Sequence, residues 1–261
     1  MAFTVHAVMP GVWHIVDCMG VCMTLLEGEN AAMLVDTGYG IEDVADFMRH
    51  MTDLPLTVFL THNHHDHAMG ARCFPETYML EADMADWRMF TDDKMRRRVL
   101  TQAIGKNLPV DEKTFLAGEI PLPKVMKPGV IDLGGLTAEI IEAPGHTPGS
   151  AVVYVPERKL LLSGDDWNPC TWLFFPQALG LREYRSNMRV IQQLPFEKVL
   201  CPHREALYDR WMFDDFFNAL TDGNLRAAEP VNIAPYEQID TCQATLPHDQ
   251  VLVFDWAKSG L

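Results

Sequence analysis

The segment 62–67 contains four histidines and one aspartate, although the whole chain of 261 residues has only ten histidines. The short apolar run 56–60 before it predicts a buried strand that ends at Thr61. The histidines therefore fall on the loop at the carboxyl end of a strand, where α/β folds place their ligand sites. Crowded imidazole and carboxylate groups of this kind indicate a metal site.

The spacing within this loop predicts how its side chains divide between metals. His62 and His64 are two positions apart, so we expect them to point the same way and bind one cation. Asp66 and His67 begin the next turn and are expected to face a second cation. Imidazole binds zinc, iron, copper or nickel, and carboxylates favour harder ions, so the mixed set accepts several metals. His65 is expected to point away, as a supporting or surface residue.

Four other segments complete a recognisable order of motifs. His146 lies in Ala-Pro-Gly-His-Thr-Pro-Gly-Ser, Asp165 in Ser-Gly-Asp and His203 in Cys-Pro-His. Upstream of the histidine loop, Asp36 lies in Leu-Val-Asp-Thr-Gly. In this order the chain resembles the metallo-β-lactamase-fold hydrolases, from about Val12 to the last of these histidines.

The resemblance implies a fold, a cofactor and a set of ligands. The fold is α/β, an αββα four-layer sandwich in which two mixed β-sheets pack face to face with helices outside. The cofactor is a pair of divalent metal ions, with zinc expected first and iron or manganese as alternatives. The implied metal ligands are His62, His64, Asp66, His67, His146, Asp165 and His203.

Roles beyond ligation follow from the same resemblance and from the residue types. Asp66 and Asp165 are the candidate catalytic residues, and Asp165 is expected to bridge the two ions because a carboxylate has two oxygens. Asp166 is an alternative bridge. Asp36 is expected to accept the free N–H of a histidine ligand and so fix its orientation. Tyr184 and Tyr208 could polarise a substrate carbonyl, although packing is the simpler interpretation of both.

Short β-rich runs separated by turn residues predict the strands. Four precede the histidine loop and read as an antiparallel meander, and from Gly129 the chain repeats its plan of strands and then a helix. Two terminal strands, 237–244 and 250–256, are expected either to return to a sheet or to form an edge hairpin. The whole chain, 1–261, is expected to form one domain with a helical, lid-like insertion at about 82–128.

Two segments have both a packing and a functional interpretation. Arg96, Arg97 and Arg98 in the insertion form either a solvated face or a site for a carboxylate or phosphate, and its methionines and aromatics either pack or line a pocket. The aromatic stretch 167–175 is expected to be irregular and to form a pocket wall over the metals.

Composition restricts the partners. Lys and Arg number 21 against 36 Asp and Glu, and the net charge of -15 disfavours a nucleic-acid groove. No basic segment followed by an apolar core begins the chain, and no apolar run approaches the length of a membrane span. The expectation is a cytoplasmic protein with a small-molecule substrate, reduced cysteines, no membrane partner and an oligomeric state that the sequence leaves open.

The expected activity is hydrolysis of a small ester, thioester or lactone by a hydroxide that bridges two metal ions. A phosphodiesterase using the same site is the first alternative, and a diiron redox or sensing protein is the second. The segment 145–205 is similar to glyoxalase II-type proteins. However, the chain has Cys-Pro-His-Arg-Glu where those enzymes carry Gly-His-Glu-Tyr, and it lacks their basic residues for glutathione after Asp165.

Overall fold

The computed structural model describes residues 3–261, and their strands form sheets of seven, six and four strands. In chain order the strands are β1 (Thr4–Met9), β2 (Val12–Val16), β3 (Cys22–Glu27), β4 (Ala32–Val35), β5 (Leu56–Phe59), β6 (Tyr78–Met79), β7 (Lys124–Val125), β8 (Gly129–Asp132), β9 (Thr137–Glu142), β10 (Ala151–Val155), β11 (Leu160–Leu162), β12 (Cys170–Leu173), β13 (Lys198–Leu200), β14 (Tyr208–Asp209), β15 (Glu229–Pro230), β16 (Thr241–Leu246) and β17 (Gln250–Asp255). The α-helices are α1 (Val44–Met51), α2 (His65–Ala68), α3 (Trp87–Thr91), α4 (Asp93–Gly105), α5 (Glu112–Phe115), α6 (Leu181–Gln192), α7 (Arg210–Asn218) and α8 (Asp222–Arg226).

The seven-stranded sheet follows the chain from β1 to β7. Strands β1 to β4 pair antiparallel with their neighbours, which confirms the predicted meander. Strand β5 then pairs parallel with β4, with Val35 opposite Phe59. Because the carboxyl ends of parallel strands meet at one edge, the segment after β4, with Asp36, and the histidine loop after β5 emerge side by side.

The six-stranded sheet has the order β14-β13-β11-β10-β9-β8. Strands β11 and β13 are parallel, with Leu162 opposite Leu200. The loop after β11 contains Asp165 and the loop after β13 contains His203, so this sheet also presents two candidate ligands at one edge.

Hydrophobic contacts arrange these elements in four layers. One buried cluster lies between the two large sheets and includes Met33 and Val35 from the first and Val153 from the second. The other face of the first sheet packs against α1 through Val44 and Met48. The other face of the second sheet packs against α6 and α7, whose polar residues face outward. The molecule is therefore the expected α/β sandwich of two sheets between helices.

The four-stranded sheet was not expected from the sequence. Strands β16 and β17 form a hairpin, as one of the two predictions for the terminal strands had it. The hairpin is not at an edge, because β12 joins β17 in parallel and β15 joins β16. The stretch 167–175 is therefore not irregular throughout, because 170–173 is a strand. Its partner strand lies about eighty positions later in the chain, and local sequence patterns do not reveal such distant pairing.

The segment 82–128, predicted as a helical insertion, contains α3, α4 and α5 and then the strand β7, which pairs with β6 in the first sheet. Asp92 accepts a hydrogen bond from the Met95 amide and thereby caps α4, so the helix restarts at that point. Arg96 is buried and donates to the carbonyls of Ala117 and Gly118, so the solvated-face interpretation is wrong for this residue. None of the helices in residues 3–261 is long and apolar enough to cross a membrane.

Candidate metal centre

The structure brings all seven candidate ligands together where the two large sheets present their loops. Two sets of side chains could each hold a metal ion, and within each set the ligand atoms lie within 4.8 Å of one another. We define the first group as His62, His64, His146 and Asp165, and the second group as Asp66, His67 and His203.

The first group is built from buried histidines, none of which is more than 3% exposed. His64 Nδ1 and His146 Nε2 lie 2.8 Å apart, and the His62 ring is 4.8 Å from the His146 ring. His146 Nδ1 donates to the carbonyl oxygen of Trp172 at 2.6 Å. Since a carbonyl only accepts, this bond leaves the lone pair of His146 Nε2 free to face the group.

The second group has two histidines and one carboxylate and is more accessible. Asp66 Oδ2 lies 3.8 Å from Nε2 of both His67 and His203. The His67 side chain is fully buried, whereas those of His203 and Asp66 are 28% and 17% exposed. The short helix α2, which begins at His65, holds Asp66 and His67 on consecutive positions of one turn.

Asp165 lies between the two groups. Its Oδ2 is 4.0 Å from Nε2 of His62 and 3.4 Å from Nε2 of His146. The same oxygen is 3.5 Å from Nε2 of His67 and 3.1 Å from Nε2 of His203. One carboxylate therefore reaches histidines of both groups, which is the position that a bridging ligand requires.

The alternative residues occupy other positions. Asp166 belongs to neither group, and its Oδ1 accepts from the His146 amide at 3.3 Å. His65 is also outside both groups, and its ring packs edge-on against Tyr39 with the centroids 5.5 Å apart. Tyr184 is buried and donates to the Asp166 carbonyl at 2.5 Å.

Asp36 connects the seven-stranded sheet to both groups. Its Oδ2 accepts from His67 Nδ1 at 3.0 Å, and its Oδ1 accepts from the Thr61 amide at 2.7 Å. The Thr61 hydroxyl in turn lies 3.0 Å from His62 Nδ1. Asp36 has a φ of 65°, a left-handed conformation that these bonds hold in place. Such outer contacts fix the tautomer and orientation of metal-binding histidines.

Asp83 connects the insertion to the loops of the first group, and sequence reasoning missed it. Its Oδ2 accepts from the Thr147 hydroxyl at 2.7 Å and from the Asn63 amide at 3.1 Å. Its Oδ1 accepts from the Gly149 amide at 2.6 Å. The side chain is 1% exposed. One buried carboxylate thus ties the residue beside His62 to the residue after His146, with no local motif to reveal the connection.

Burial keeps the first group's histidines neutral. It is the largest influence on His62, His64 and His146, and it lowers the pKa of each ring below its usual value. Neutral imidazole is the form that binds a metal.

Charge dominates the second group. Burial is the largest single influence on His67 and His203 and would lower the pKa of each. The surrounding carboxylates, Asp165 first among them, together outweigh burial and raise both pKa values. Burial alone would raise the pKa of Asp66, but His67 and its histidine neighbours lower it to about 2. The pKa of Asp165 likewise falls well below its usual value, against burial, because His203 and His67 surround it. The site therefore favours positive charge at this point.

The donor atoms fit metal ions. The buried Nε2 atoms of His62 and His67 and the Oδ1 of Asp165 have no hydrogen-bond partner. Buried polar atoms without partners are costly unless something else satisfies them. Five imidazoles and two carboxylates aimed at one region are the donors that zinc, iron and manganese accept.

A pocket of about 470 Å³ opens onto this centre. One side is aromatic: Phe90 and Phe175 pack on the His64 ring at 4.5 and 4.7 Å, and Trp172 and Tyr236 continue this side. The remaining lining is mainly polar and includes Tyr39, His65, Asn168, Cys170, Arg98, Gln102 and Arg204. The stretch 167–175 thus supplies part of a pocket wall, as expected, although Trp167 itself is buried in the core.

Comparison with known proteins agrees with this architecture. Residues 16–203 match the family model of the metallo-beta-lactamase superfamily. The acyl-coenzyme A thioesterase MBLAC2 of Gallus gallus is 26% identical over 199 residues, which cover 69% of this chain and 70% of that protein.

Solved structures share the fold. A metallo-beta-lactamase from Pontibacter korlensis has a TM-score of 0.60 at 18% identity and covers 85% of this chain and 100% of its own. The sec-alkylsulfatase Pisa1 from a Pseudomonas species has a TM-score of 0.64 at 15% identity, over 86% of this chain and 43% of that one.

The chain belongs to the metallo-beta-lactamase superfamily, since the family model matches well over half of it. Within that superfamily it is a metal-dependent hydrolase.

Proposed function

We propose that the protein is a dinuclear metal-dependent hydrolase of small esters, thioesters or lactones, with acyl thioesters as the first class to test. The observation that carries this proposal is the position of Asp165, whose Oδ2 lies within 4.0 Å of histidine nitrogens from both groups. The thioester is favoured because MBLAC2, which matches over 70% of its own length, is named an acyl-coenzyme A thioesterase.

In this proposal the first group, with Asp165, holds one divalent ion and the second group, again with Asp165, holds the other. Zinc is the first expectation because the donors are rich in imidazole, and iron or manganese would accept the same donors. When bound, such ions would polarise a substrate carbonyl and lower the pKa of water toward about 7.

The chain's own residues position the reactants. Asp66 is ionised and borders the pocket, so its carboxylate can accept a hydrogen bond from the attacking water and aim it at the carbonyl carbon. The aromatic side formed by Phe90, Phe175 and Trp172 can hold the acyl group and exclude bulk water. Asp36 and Asp83 hold the loops that carry the candidate ligands in fixed relative positions. The arrangement of the ligands is therefore formed before substrate binds.

Initial hydrolysis rates test the proposal. The metal-replete protein and its Asp165→Ala variant are assayed on thioesters, lactones, simple esters, β-lactams and phosphodiesters, with the metal content of each measured. Turnover of a thioester, ester or lactone that the variant loses together with one metal supports the proposal. Turnover of phosphodiesters or β-lactams alone would contradict the proposed substrate class, and unchanged metal content in Asp165→Ala would contradict the bridge.

A further inference from the structure

Arg98 is distinguished from the other arginines by its surroundings. Within residues 3–261, five arginines form no hydrogen bond or ion pair through their side chains: Arg97, Arg98, Arg182, Arg189 and Arg226. Four of these are exposed on the surface, where water satisfies them. Arg98 is half-buried, and it is the one of the five that lines the pocket.

The pocket lining combines an apolar surface with two arginines, Arg98 and Arg204. Phe175 packs against Trp172 and Tyr236 with ring centroids 6.1 and 5.4 Å apart, so these three rings form a continuous apolar surface. Arg98 projects from α4 near Tyr39. Its positive charge opposes the rise that burial causes in the pKa of the Tyr39 hydroxyl. Gln102, four positions further along α4, lies on the same helix face and also lines the pocket.

The positive charge of Arg98 is opposite in sign to the net charge of the molecule. The chain has a net charge of -15, which repels anionic ligands at long range. The carboxylates of Asp66 and Asp165, which line the same pocket, contact histidine nitrogens. Neither carboxylate forms an ion pair with Arg98. The Arg98 guanidinium therefore has unused donors in a partly desolvated place, where a charge-assisted bond to an oxyanion is strongest.

We propose that the pocket takes an acyl substrate carrying an oxyanion, a carboxylate or a phosphate, and that Arg98 is the residue that binds this group. The apolar segment of the substrate lies along Phe175, Trp172 and Tyr236, and Gln102 adds a hydrogen bond to the anion. Arg204, which follows His203 and also lines the pocket, adds a second positive charge. The inference deepens the proposed function and rests on it for the reacting group, while the anion site itself can be tested separately.

Thioether analogues, which cannot be hydrolysed, separate the two questions. The probes are S-hexyl and S-(5-carboxypentyl) N-acetylcysteamine, which differ only in a terminal carboxylate, and S-hexyl coenzyme A, which carries phosphates on the thiol side. Dissociation constants are measured by calorimetry with the metal-replete protein, Arg98→Gln, Arg98→Lys and the matched control Arg97→Gln.

We expect at least one anionic probe to bind about tenfold or more tightly than the neutral one, as a charge-assisted hydrogen bond allows. Arg98→Gln should reduce this preference to the smaller part that Arg204 supplies and leave the neutral probe within about twofold. Arg98→Lys should keep more of the preference, and Arg97→Gln should resemble wild type. Whether the carboxylate or the phosphate probe gains identifies the source of the anion.

Two results would overturn the proposal: equal binding of all three probes to wild type, or an equal loss on every probe in Arg98→Gln. Hydrolysis of the neutral thioester S-hexanoyl N-acetylcysteamine is measured in parallel. Its turnover without an anion preference would leave the proposed function in place and reject the role of Arg98. An anion preference without turnover would support the role of Arg98 and reject the proposed function.

Discussion

The first and second ligand groups are adjacent, but burial dominates the first and the charges of neighbouring groups dominate the second. The first consists of buried histidines held neutral by burial and oriented by uncharged partners, such as the Trp172 carbonyl that fixes His146. The second combines Asp66 with His67 and His203 and is governed by opposite charges, and His203 is partly exposed. The comparison indicates a first site preorganised by packing and a second whose affinity depends on charge and therefore on pH.

The strongest way to break this comparison is to remove the residue that the two groups share. Asp165→Ala should lose the second metal and reduce hydrolysis by more than about a hundredfold, beyond the 10–100-fold typical of an outer-shell change. The first metal should be retained, because three buried histidines remain. Metal analysis after dialysis and initial rates measure both effects, and loss of both metals at once would mean that the groups do not form separable sites.

The next effect concerns the first group alone. Asp83→Asn turns an acceptor of three hydrogen bonds into a partial donor opposite Gly149 and Thr147. We expect metal affinity of the first group to fall about 10–100-fold and the free energy of unfolding to fall by about 1–3 kcal/mol. Competition with a chelator and chemical denaturation measure these changes.

The matched control for that prediction is Glu81→Gln, an exposed change on the same short turn. It should leave both the metal affinity and the stability unchanged. If Asp83→Asn weakened the second group as strongly as the first, the loops would be coupled and the comparison between the groups would fail.

Proton release sharpens the comparison further. In the metal-free protein the raised pKa values of His67 and His203 favour the protonated form of both rings, and coordination must expel the protons that these rings hold. The lowered pKa values of His62, His64 and His146 mean that the first group has none to lose. Affinity for the second ion should therefore fall about tenfold per pH unit for each proton released, as pH decreases below the raised pKa values.

Calorimetric titration in buffers of different ionisation enthalpy counts these protons for each ion. Up to two should accompany the second ion and close to none the first. Equal proton release by the two ions would contradict the assignment of charge to one group and packing to the other.

The smallest effect is expected at His65, which lies inside the histidine segment but outside both groups. His65→Ala should keep both metals, because its ring belongs to neither group, and any change in the hydrolysis rate should come only from its place in the pocket lining. Metal content is the deciding measurement, and loss of one ion would show that this ring ligates after all.

Local sequence signals predicted the parts of this site that short segments determine. The apolar run before Thr61 predicted the strand β5 and hence the point at which the histidine loop leaves the sheet. Asp36 accepts from a ligand ring, as its place after a strand suggested. Each of these depends on a few consecutive residues and on parallel pairing.

Features formed by distant residues were not predictable in the same way. Asp83 binds groups at 147 and 149, more than sixty positions away, and no spacing rule connects them. Arg96 stands in a run of three arginines that predicted either a solvated face or an anion site, yet the carbonyls of a later loop accept its hydrogen bonds. In both cases tertiary packing, rather than local preference, decided the environment of a charged side chain.

The pocket draws on chain that the family model does not cover. The match ends at residue 203, with the last candidate ligand, whereas Ala234 and Tyr236 lie beyond it and still line the cavity. Phe90 and Arg98 also line the cavity. They come from the segment 82–128, which contains none of the seven candidate ligands. Part of the pocket lining thus comes from stretches that hold no candidate ligand, so we expect that exchanging 204–261 or 82–128 between related enzymes would change substrate choice more than metal binding.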